Sequence, residues 1–151
     1  MTFSLRKAEI EDLDLTYKIK KNALSEYLEQ LWGWNDEAQY EFHKEHFNPN
    51  NFQIIEILNS PIGYLETTQK DDILSLLNLM ILKQFQGKGI GKVILVDLLK
   101  NHPQIQLEVL KVNLRAIRFY ENFGFKILEE IDDAFKMKIY HCECNEAIFS
   151  T

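Results

Sequence analysis

The chain has 151 residues, of which 46% are hydrophobic and 26% charged, proportions typical of one globular domain and not of a disordered or fibrous protein. Its net charge of −6 argues against nucleic-acid and anionic-membrane partners, and its longest uncharged apolar run, residues 73–82, is too short to span a bilayer. With no secretory signal at its start, the sequence predicts a single cytosolic domain over residues 1–151.

The first third of the chain predicts a strand followed by two helices. Residues 3–8 alternate in the manner of a short strand. Apolar residues then recur at helical spacing over residues 13–31, after a plausible N-cap at Asp12. A glycine between two tryptophans interrupts this pattern, and residue 35 or 36 could cap a second helix that ends before Pro49.

The pattern then changes to that of strands. Residues 52–58 are rich in isoleucine and precede a predicted turn at 59–61, a strand at 62–69 and a second turn at 70–72. Residues 73–82 predict a third strand. Because the links are short and polar, the three strands are expected to form an antiparallel meander.

The remaining elements alternate between helix and strand. A glycine-rich segment leads into a predicted helix at 92–102, which is followed by an apolar strand at 104–110, and this order implies a parallel, right-handed crossover. A fourth helix at 114–123 precedes two antiparallel strands at 125–131 and 134–141. The order β-α-α-β-β-β-α-β-α-β-β predicts an α+β fold with a mixed, mostly antiparallel sheet and four helices.

The glycine-rich segment lies within residues 73–120, which hold seven bases and two acids in an otherwise acidic chain. Solvated helix faces could account for that excess. However, a glycine-rich turn at a helix N-terminus also binds phosphate through backbone N–H groups and the helix dipole. Three residues separate Gly87 from Gly91, and Val93 follows Lys92, so the segment lacks the spacing and the hydroxyl of a Walker A loop. Its G-x-G-x-G pattern and its place after an antiparallel meander also disfavour a dinucleotide site.

Two motifs resemble those of one family. Gln86-x-x-Gly89-x-Gly91, between a strand and a helix, resembles the acetyl-CoA loop of the GNAT superfamily of acyl-CoA N-acyltransferases. The second motif resembles that family's strand followed by Asn, Ala, Tyr and a closing Gly-Phe: Leu107-Glu108-Val109, Asn113, Ala116, Phe119-Tyr120-Glu121 and Gly124-Phe125. The element order from residue 3 to about 141 also follows the family's order.

The resemblance implies acetyl-CoA as co-substrate and a set of residues that bind it. Backbone N–H groups of the loop would hold the diphosphate, two lysines would add charge, and the third meander strand would bind pantetheine where it splays from the next strand. The N–H of Ile81 would stabilise the thioester oxyanion. The implied cofactor-binding residues are Leu79, Met80, Ile81, Gln86, Gly87, Lys88, Gly89, Ile90, Gly91, Lys92 and Asn113. Asn113 could equally serve as a helix N-cap.

Catalytic roles follow from the same resemblance. Tyr120 would protonate the departing thiolate, because a phenol can donate to a thiol of pKa ~8.5; the alternative is a packed core aromatic. The general base is less defined, since residues 74–80 contain no acid where some family members place a glutamate. Glu66 on the preceding strand is the best substitute, followed by Glu108, although Glu66 could simply be solvent-exposed.

The acceptor is expected to be a small primary amine. In the family the first two helices and their connection wall the acceptor pocket, here residues 27–47. Trp32 and Trp34, together with nearby acids, would suit a cationic amine; otherwise these aromatics pack the helices on the sheet. The histidines at 43, 46 and 102 are expected to be exposed or to cap helices.

No metal site is expected, because the segment His141-Cys142-Glu143-Cys144 lacks the four ligands of a tetrahedral site. Two functions remain open. The first is an enzyme that transfers acetyl from acetyl-CoA to an amine in a direct ternary complex. The second is a non-catalytic acyl-CoA-binding or regulatory module on the same fold. Exposed strand edges make a homodimer possible.

Overall fold

The computed structural model describes residues 2–140. Within them four helices and seven strands follow the order expected from the sequence. The helices are α1 (Leu13–Trp32), α2 (Asp36–His46), α3 (Ile90–Asn101) and α4 (Leu114–Phe123). The strands are β1 (Ser4–Lys7), β2 (Phe52–Ile57), β3 (Ser60–Lys70), β4 (Ile73–Ile81), β5 (Gln104–Leu110), β6 (Lys126–Ile131) and β7 (Ala134–Tyr140).

The strands form one seven-stranded sheet in the order β1-β2-β3-β4-β5-β7-β6. β4 and β5 run parallel, with Ile73–Leu76 paired to Gln104–Leu107. The β1–β2, β2–β3, β5–β7 and β6–β7 pairs are antiparallel. The predicted α+β class and the parallel crossover through α3 are therefore confirmed.

The described residues divide into two compact units. Residues 2–66 and 78–90 form the first, and residues 67–77 and 91–140 form the second. The first unit has a core drawn from the residue after β1 and from α1, β2, β3 and β4. Its buried members are Ala8, Ile19, Ala23, Phe52, Ile54, Tyr64 and Met80.

The second unit buries apolar side chains from α3, β5 and β7. Ile105 pairs with Ile139, and Leu107 pairs with Met137, across the β5–β7 ladder, and all four side chains are at most 5% exposed. Ile94, Leu95 and Leu99 of α3 are also buried. Not every apolar residue of α3 is buried, because Val93 in its first turn is 52% exposed.

The β2–β3 hairpin turns one residue earlier than the sequence predicts. Leu58 and Asn59 have φ values of 51° and 65°, which is the left-handed pair of a two-residue hairpin turn. Pro61 consequently lies inside β3, opposite Glu56, where the ladder shifts register. The expected turn at 59–61 is wrong because the bulge accommodates a residue that cannot donate a ladder hydrogen bond.

Asparagine side chains cap two helices, as the sequence predicts. The Asn35 side chain accepts a hydrogen bond from the Ala38 N–H at the start of α2. Asp12 precedes α1, but its carboxylate makes no cap hydrogen bond to that helix. It accepts instead from the Arg6 guanidinium at 2.8 and 3.0 Å and from the Glu9 N–H at 2.8 Å. This expectation of an N-cap side chain is therefore wrong.

Within residues 2–140, none of the helices has the length and apolar character needed to cross a membrane.

Candidate active site

The glycine-rich segment forms the exposed bend between β4 and α3. Gly87 and Gly89 have φ values of 76° and 84°, a left-handed conformation that glycine adopts at no steric cost. α3 begins immediately afterwards at Ile90, and the N–H groups of a first helical turn have no intrahelical acceptor. Because the helix dipole is positive at this end, the bend can bind a diphosphate.

The bend is fixed to the end of β4 by a side chain. The Gln86 Nε2 donates to the Ile81 carbonyl oxygen at 2.8 Å, so the first residue of the predicted motif is tied to the strand. The β4–β5 ladder runs through Ile73–Leu76 and Gln104–Leu107, whereas β4 itself continues to Ile81. The backbone of Leu79–Ile81, predicted to bind the cofactor, therefore lies beyond that ladder.

A glycine lets β3 approach this part of β4 closely. A Cβ built on Gly63 would lie 2.3 Å from the carbonyl oxygen of Met80 and 3.2 Å from the Cα of Ile81. The Leu82 N–H also donates to the Ile62 carbonyl at 2.9 Å. The end of β4 is thus held by backbone contacts that a side chain at position 63 would break.

The second predicted motif lies in β5 and α4. The Asn113 side chain caps α4 by accepting from the Ala116 N–H at 3.0 Å, which confirms its structural role and leaves its cofactor contact a prediction. Tyr120 is partly buried between Phe119 and Phe125, with ring centroids 5.2 and 5.4 Å away. Burial raises the pKa of the Tyr120 phenol above its ordinary value of 10. The phenol is therefore neutral at physiological pH.

Glu66 lines a small cavity in the first unit. The volume is about 50 Å³, enough for about three or four water molecules. The walls come from α1, α2, β2, β3 and β4. Its lining residues are Lys20, Phe42, His43, His46, Phe52, Tyr64, Glu66 and Asn78.

The Glu66 carboxylate is half-buried and held by a neighbouring strand. The Asn78 Nδ2 donates to the Glu66 Oε1 at 2.7 Å. Burial raises the pKa of Glu66 above its ordinary value of 4.5, while Asn78, Lys20 and His46 act in the opposite direction. This combination produces a carboxylate with enhanced affinity for a proton, as general base chemistry requires.

Lys20 faces the same cavity from α1. Its ammonium lies 5.2 Å from the centroid of the Phe42 ring, within range of a cation–π contact. Burial lowers the pKa of Lys20, and the charge of Glu66 partly offsets that effect. No pattern in the sequence indicates that this lysine of α1 would line the same cavity as Glu66.

His43 is buried, contrary to the expectation that it would be exposed or would cap a helix. It is 5% exposed, and its Nε2 lies 2.8 Å from the Thr16 hydroxyl. Burial is the main cause that lowers the pKa of His43 to about 4. A neutral imidazole therefore forms part of the cavity wall at physiological pH.

The other predicted site residues lie outside this lining. Trp32 is 64% exposed, and the Trp34 Nε1 donates to Asp36 at 3.3 Å near the start of α2. Glu108 is exposed on β5 and pairs with Lys136 of β7. Roles for the two tryptophans at the acceptor and for Glu108 as a base stay predictions.

Among residues 2–140, no group of three or more histidine, cysteine or acidic side chains could hold a metal ion. The segment His141-Cys142-Glu143-Cys144, where a metal site was not expected, lies outside the described residues.

Comparison with known sequences relates the chain to acetyltransferases. Residues 16–125 match the acetyltransferase (GNAT) family. The chain is also 38% identical over 56 residues to a probable spermine N(1)-acetyltransferase of Bacillus subtilis subsp. natto. That alignment covers 33% of this chain and 37% of the relative, so the chain spans little more than a third of the relative's length.

Solved structures share the same architecture. The PaiA N-acetyltransferase of Thermoplasma acidophilum, solved in complex with coenzyme A, is 20% identical, with a TM-score of 0.76 over 93% of this chain and 99% of that one. The ribosomal-protein-S18-alanine N-acetyltransferase of Escherichia coli is 19% identical, with a TM-score of 0.68 over 92% and 94% of the two chains. At these identities the likeness shows the GNAT fold alone.

Proposed function

Because the chain belongs to the GNAT acetyltransferase family, we propose that it transfers the acetyl group of acetyl-CoA to a primary amine of a small molecule. The observation that carries this proposal is the left-handed glycine bend before α3, within the family match. Transfer takes place directly between the two substrates in a ternary complex, with no covalent enzyme intermediate.

The reaction needs two proton transfers. The amine nitrogen attacks the thioester carbonyl carbon, a C–N bond forms, the C–S bond breaks, and coenzyme A leaves as a thiolate. The amine gives up a proton to Glu66, and the thiolate takes one from Tyr120. A neutral phenol suits the second role, because an unprotonated thiolate in a desolvated cleft is costly.

Binding of acetyl-CoA is assigned to the loop and to the end of β4. Amides of Gln86–Lys92 hold the diphosphate, and Lys88 and Lys92 add positive charge. The backbone of Leu79–Ile81 binds pantetheine, and the Ile81 N–H stabilises the oxyanion. The position of these strand residues beyond the β4–β5 ladder and the exposure of Gly87–Gly89 support these roles.

The cavity at Glu66 is proposed to receive the acceptor's amino group. Its size suits the end of an alkylamine, Glu66 supplies the base, and the rings of Phe42 and Phe52 offer aromatic faces. The relative named as a spermine acetyltransferase makes polyamines the first acceptors to test, beside amino acids, aminoglycosides and short peptides.

The test is release of free thiol from acetyl-CoA across this amine panel, with mass spectrometry of the acetylated product. Tyr120→Phe should lower kcat at least about ten-fold while coenzyme A binding by calorimetry is retained. Tyr140→Phe is the matched control, since Tyr140 is a partly exposed tyrosine on β7, and it should keep the wild-type rate.

Two outcomes would contradict the proposal. An unchanged rate in Tyr120→Phe would remove that residue from the mechanism. Coenzyme A binding without acetylation of any amine would favour the non-catalytic acyl-CoA-binding module instead.

A further inference from the structure

The acid that lines the cavity lies on β3, whereas its hydrogen-bond donor lies on β4. Resting on the proposed function, we propose that Asn78 is a positioning residue that orients the Glu66 carboxylate for proton abstraction and keeps it ionised. β4 contains no acid of its own. The carboxylate that acts as the base is therefore on β3, and β4 contributes the amide that hydrogen-bonds it.

The geometry is that of a strong, directional contact. The Asn78 Nδ2 lies 2.7 Å from the Glu66 Oε1, at the short end of the range for N–H donors to carboxylates. Among the side chains of residues 2–140, Asn78 is the group that hydrogen-bonds this carboxylate. With Oε1 so engaged, Oε2 is the oxygen available to take the amine proton.

The other groups around Glu66 act through charge or burial. Lys20 of α1 and His46 of α2 favour the ionised carboxylate by their charge, and burial opposes them. His43 of α2 and Tyr64 of β3 complete the titratable surroundings, and both are neutral at physiological pH. None of these groups fixes the orientation of the carboxylate as a hydrogen bond does.

An amide suits this position better than an acid would. Two carboxylates 3 Å apart cannot both ionise, so an aspartate at position 78 would share a proton with Glu66 and raise the upper pKa of the pair. A neutral donor stabilises the charge of Glu66 and leaves that charge unpaired for an incoming ammonium.

The test compares Asn78→Leu, which keeps the approximate shape but removes the donor, with Asn78→Asp. Glu66 is titrated by NMR of 13C-labelled glutamate carboxyls, and kcat/KM is measured against pH. Gln106→Leu is the matched control, because the Gln106 amide donates to Ser75 at 2.8 Å between β5 and β4, outside the cavity.

In Asn78→Leu the Glu66 midpoint and the acidic limb of kcat/KM should both rise by about one pH unit. The rate on the high-pH plateau should fall several-fold, and Asn78→Asp should shift the midpoint further. Gln106→Leu should keep the wild-type midpoint, even if it lowers stability.

The inference is overturned if the Glu66 midpoint in Asn78→Leu equals that of the wild type, or if the rate falls with no shift of the acidic limb. These results leave the proposed function standing. If the wild type acetylates no amine, the proposed function fails instead, and the NMR midpoint alone decides whether Asn78 controls the ionisation of Glu66.

Discussion

A hydrogen bond joins Thr16 of α1 to the buried histidine of α2, His43. The Thr16 hydroxyl is 3.0 Å from the carbonyl oxygens of both Asp12 and Leu13, and its single proton goes to one of them. Its oxygen also lies 2.8 Å from the His43 Nε2, within hydrogen-bond distance. Adding a second proton would place a charge in a mostly buried site near the ammonium of Lys20.

This buried imidazole predicts a loss of stability in weak acid. The pKa of His43 falls from 6.5 to about 4 on folding, so between these values the unfolded chain binds the extra proton. The free energy of unfolding should therefore drop by about 1 kcal/mol between pH 7 and pH 5.5 from this group alone. Urea unfolding of wild type and His43→Leu at both pH values measures it.

The variant should be less stable at pH 7 but should lose that part of the pH dependence. His46→Gln, at an exposed position of the same helix, should retain it. Equal pH dependence in wild type and His43→Leu would show that His43 is already charged in the folded protein.

Sequence patterns could not have identified the buried face of α2. Apolar residues usually mark the buried face of a helix, yet Phe42 is 54% exposed and His43 is buried. The helix turns a polar residue inward because Thr16 of α1 supplies its partner. Such a partner from another helix leaves no local signal in the sequence.

At the scale of elements, the contact between β3 and β4 at Gly63 leaves no room for a side chain. Gly63→Ala would place a methyl group 2.3 Å from the Met80 carbonyl oxygen, and backbone cannot move aside as a flexible side chain can. We expect a loss of roughly 2–4 kcal/mol in the free energy of unfolding, measured by chemical denaturation.

Gly33→Ala is the control for the loss of a glycine as such. Gly33 has φ 76° and ψ 171°, a backbone conformation essentially confined to glycine, but its Cβ would meet nothing within 4 Å, so only backbone strain, of roughly 1–3 kcal/mol, is expected. If both variants lost the same stability, the close approach of β3 to β4 would not be a constraint.

Most elements could be predicted because their local signals agree. The caps Asn35 and Asn113 and the glycine after α4 mark helix boundaries in the structure, and β5 spans the residues 104–110 expected for it. The turn at 59–61 and the Asp12 cap were predicted wrongly because contacts with other strands decide both. Pro61 enters β3 because a bulge in β3, at Ile62, accommodates it, and Asp12 bonds Arg6 because β1 brings that guanidinium to it.

The candidate site was predictable to the extent that it depends on motifs. The loop at Gln86–Gly91 and the Asn113 and Tyr120 motif could be located from spacing and resemblance. Lys20, His43 and Asn78 could not, since they meet Glu66 only through the packing of helices on strands far apart in the chain. No periodicity or short motif marks such a set.

At the scale of the whole molecule, the lysines of residues 73–120 include some that form ion pairs and some that lie at the proposed diphosphate site. Lys83 pairs with Glu26 at 3.0 Å and Lys111 with Glu130 at 2.9 Å, so part of the basic excess in residues 73–120 stabilises the fold. Lys88 is exposed in the bend before α3, and Lys92 is exposed in the first turn of that helix. They can therefore contribute to anion binding there.

The most direct test of direct acetyl transfer is initial-rate kinetics with acetyl-CoA and an accepted amine both varied. Acetylated amine is quantified by mass spectrometry alongside free thiol. The account predicts equal amounts of the two products and intersecting double-reciprocal lines, as a ternary complex requires. Parallel lines, or thiol release without acetylated amine, would contradict it.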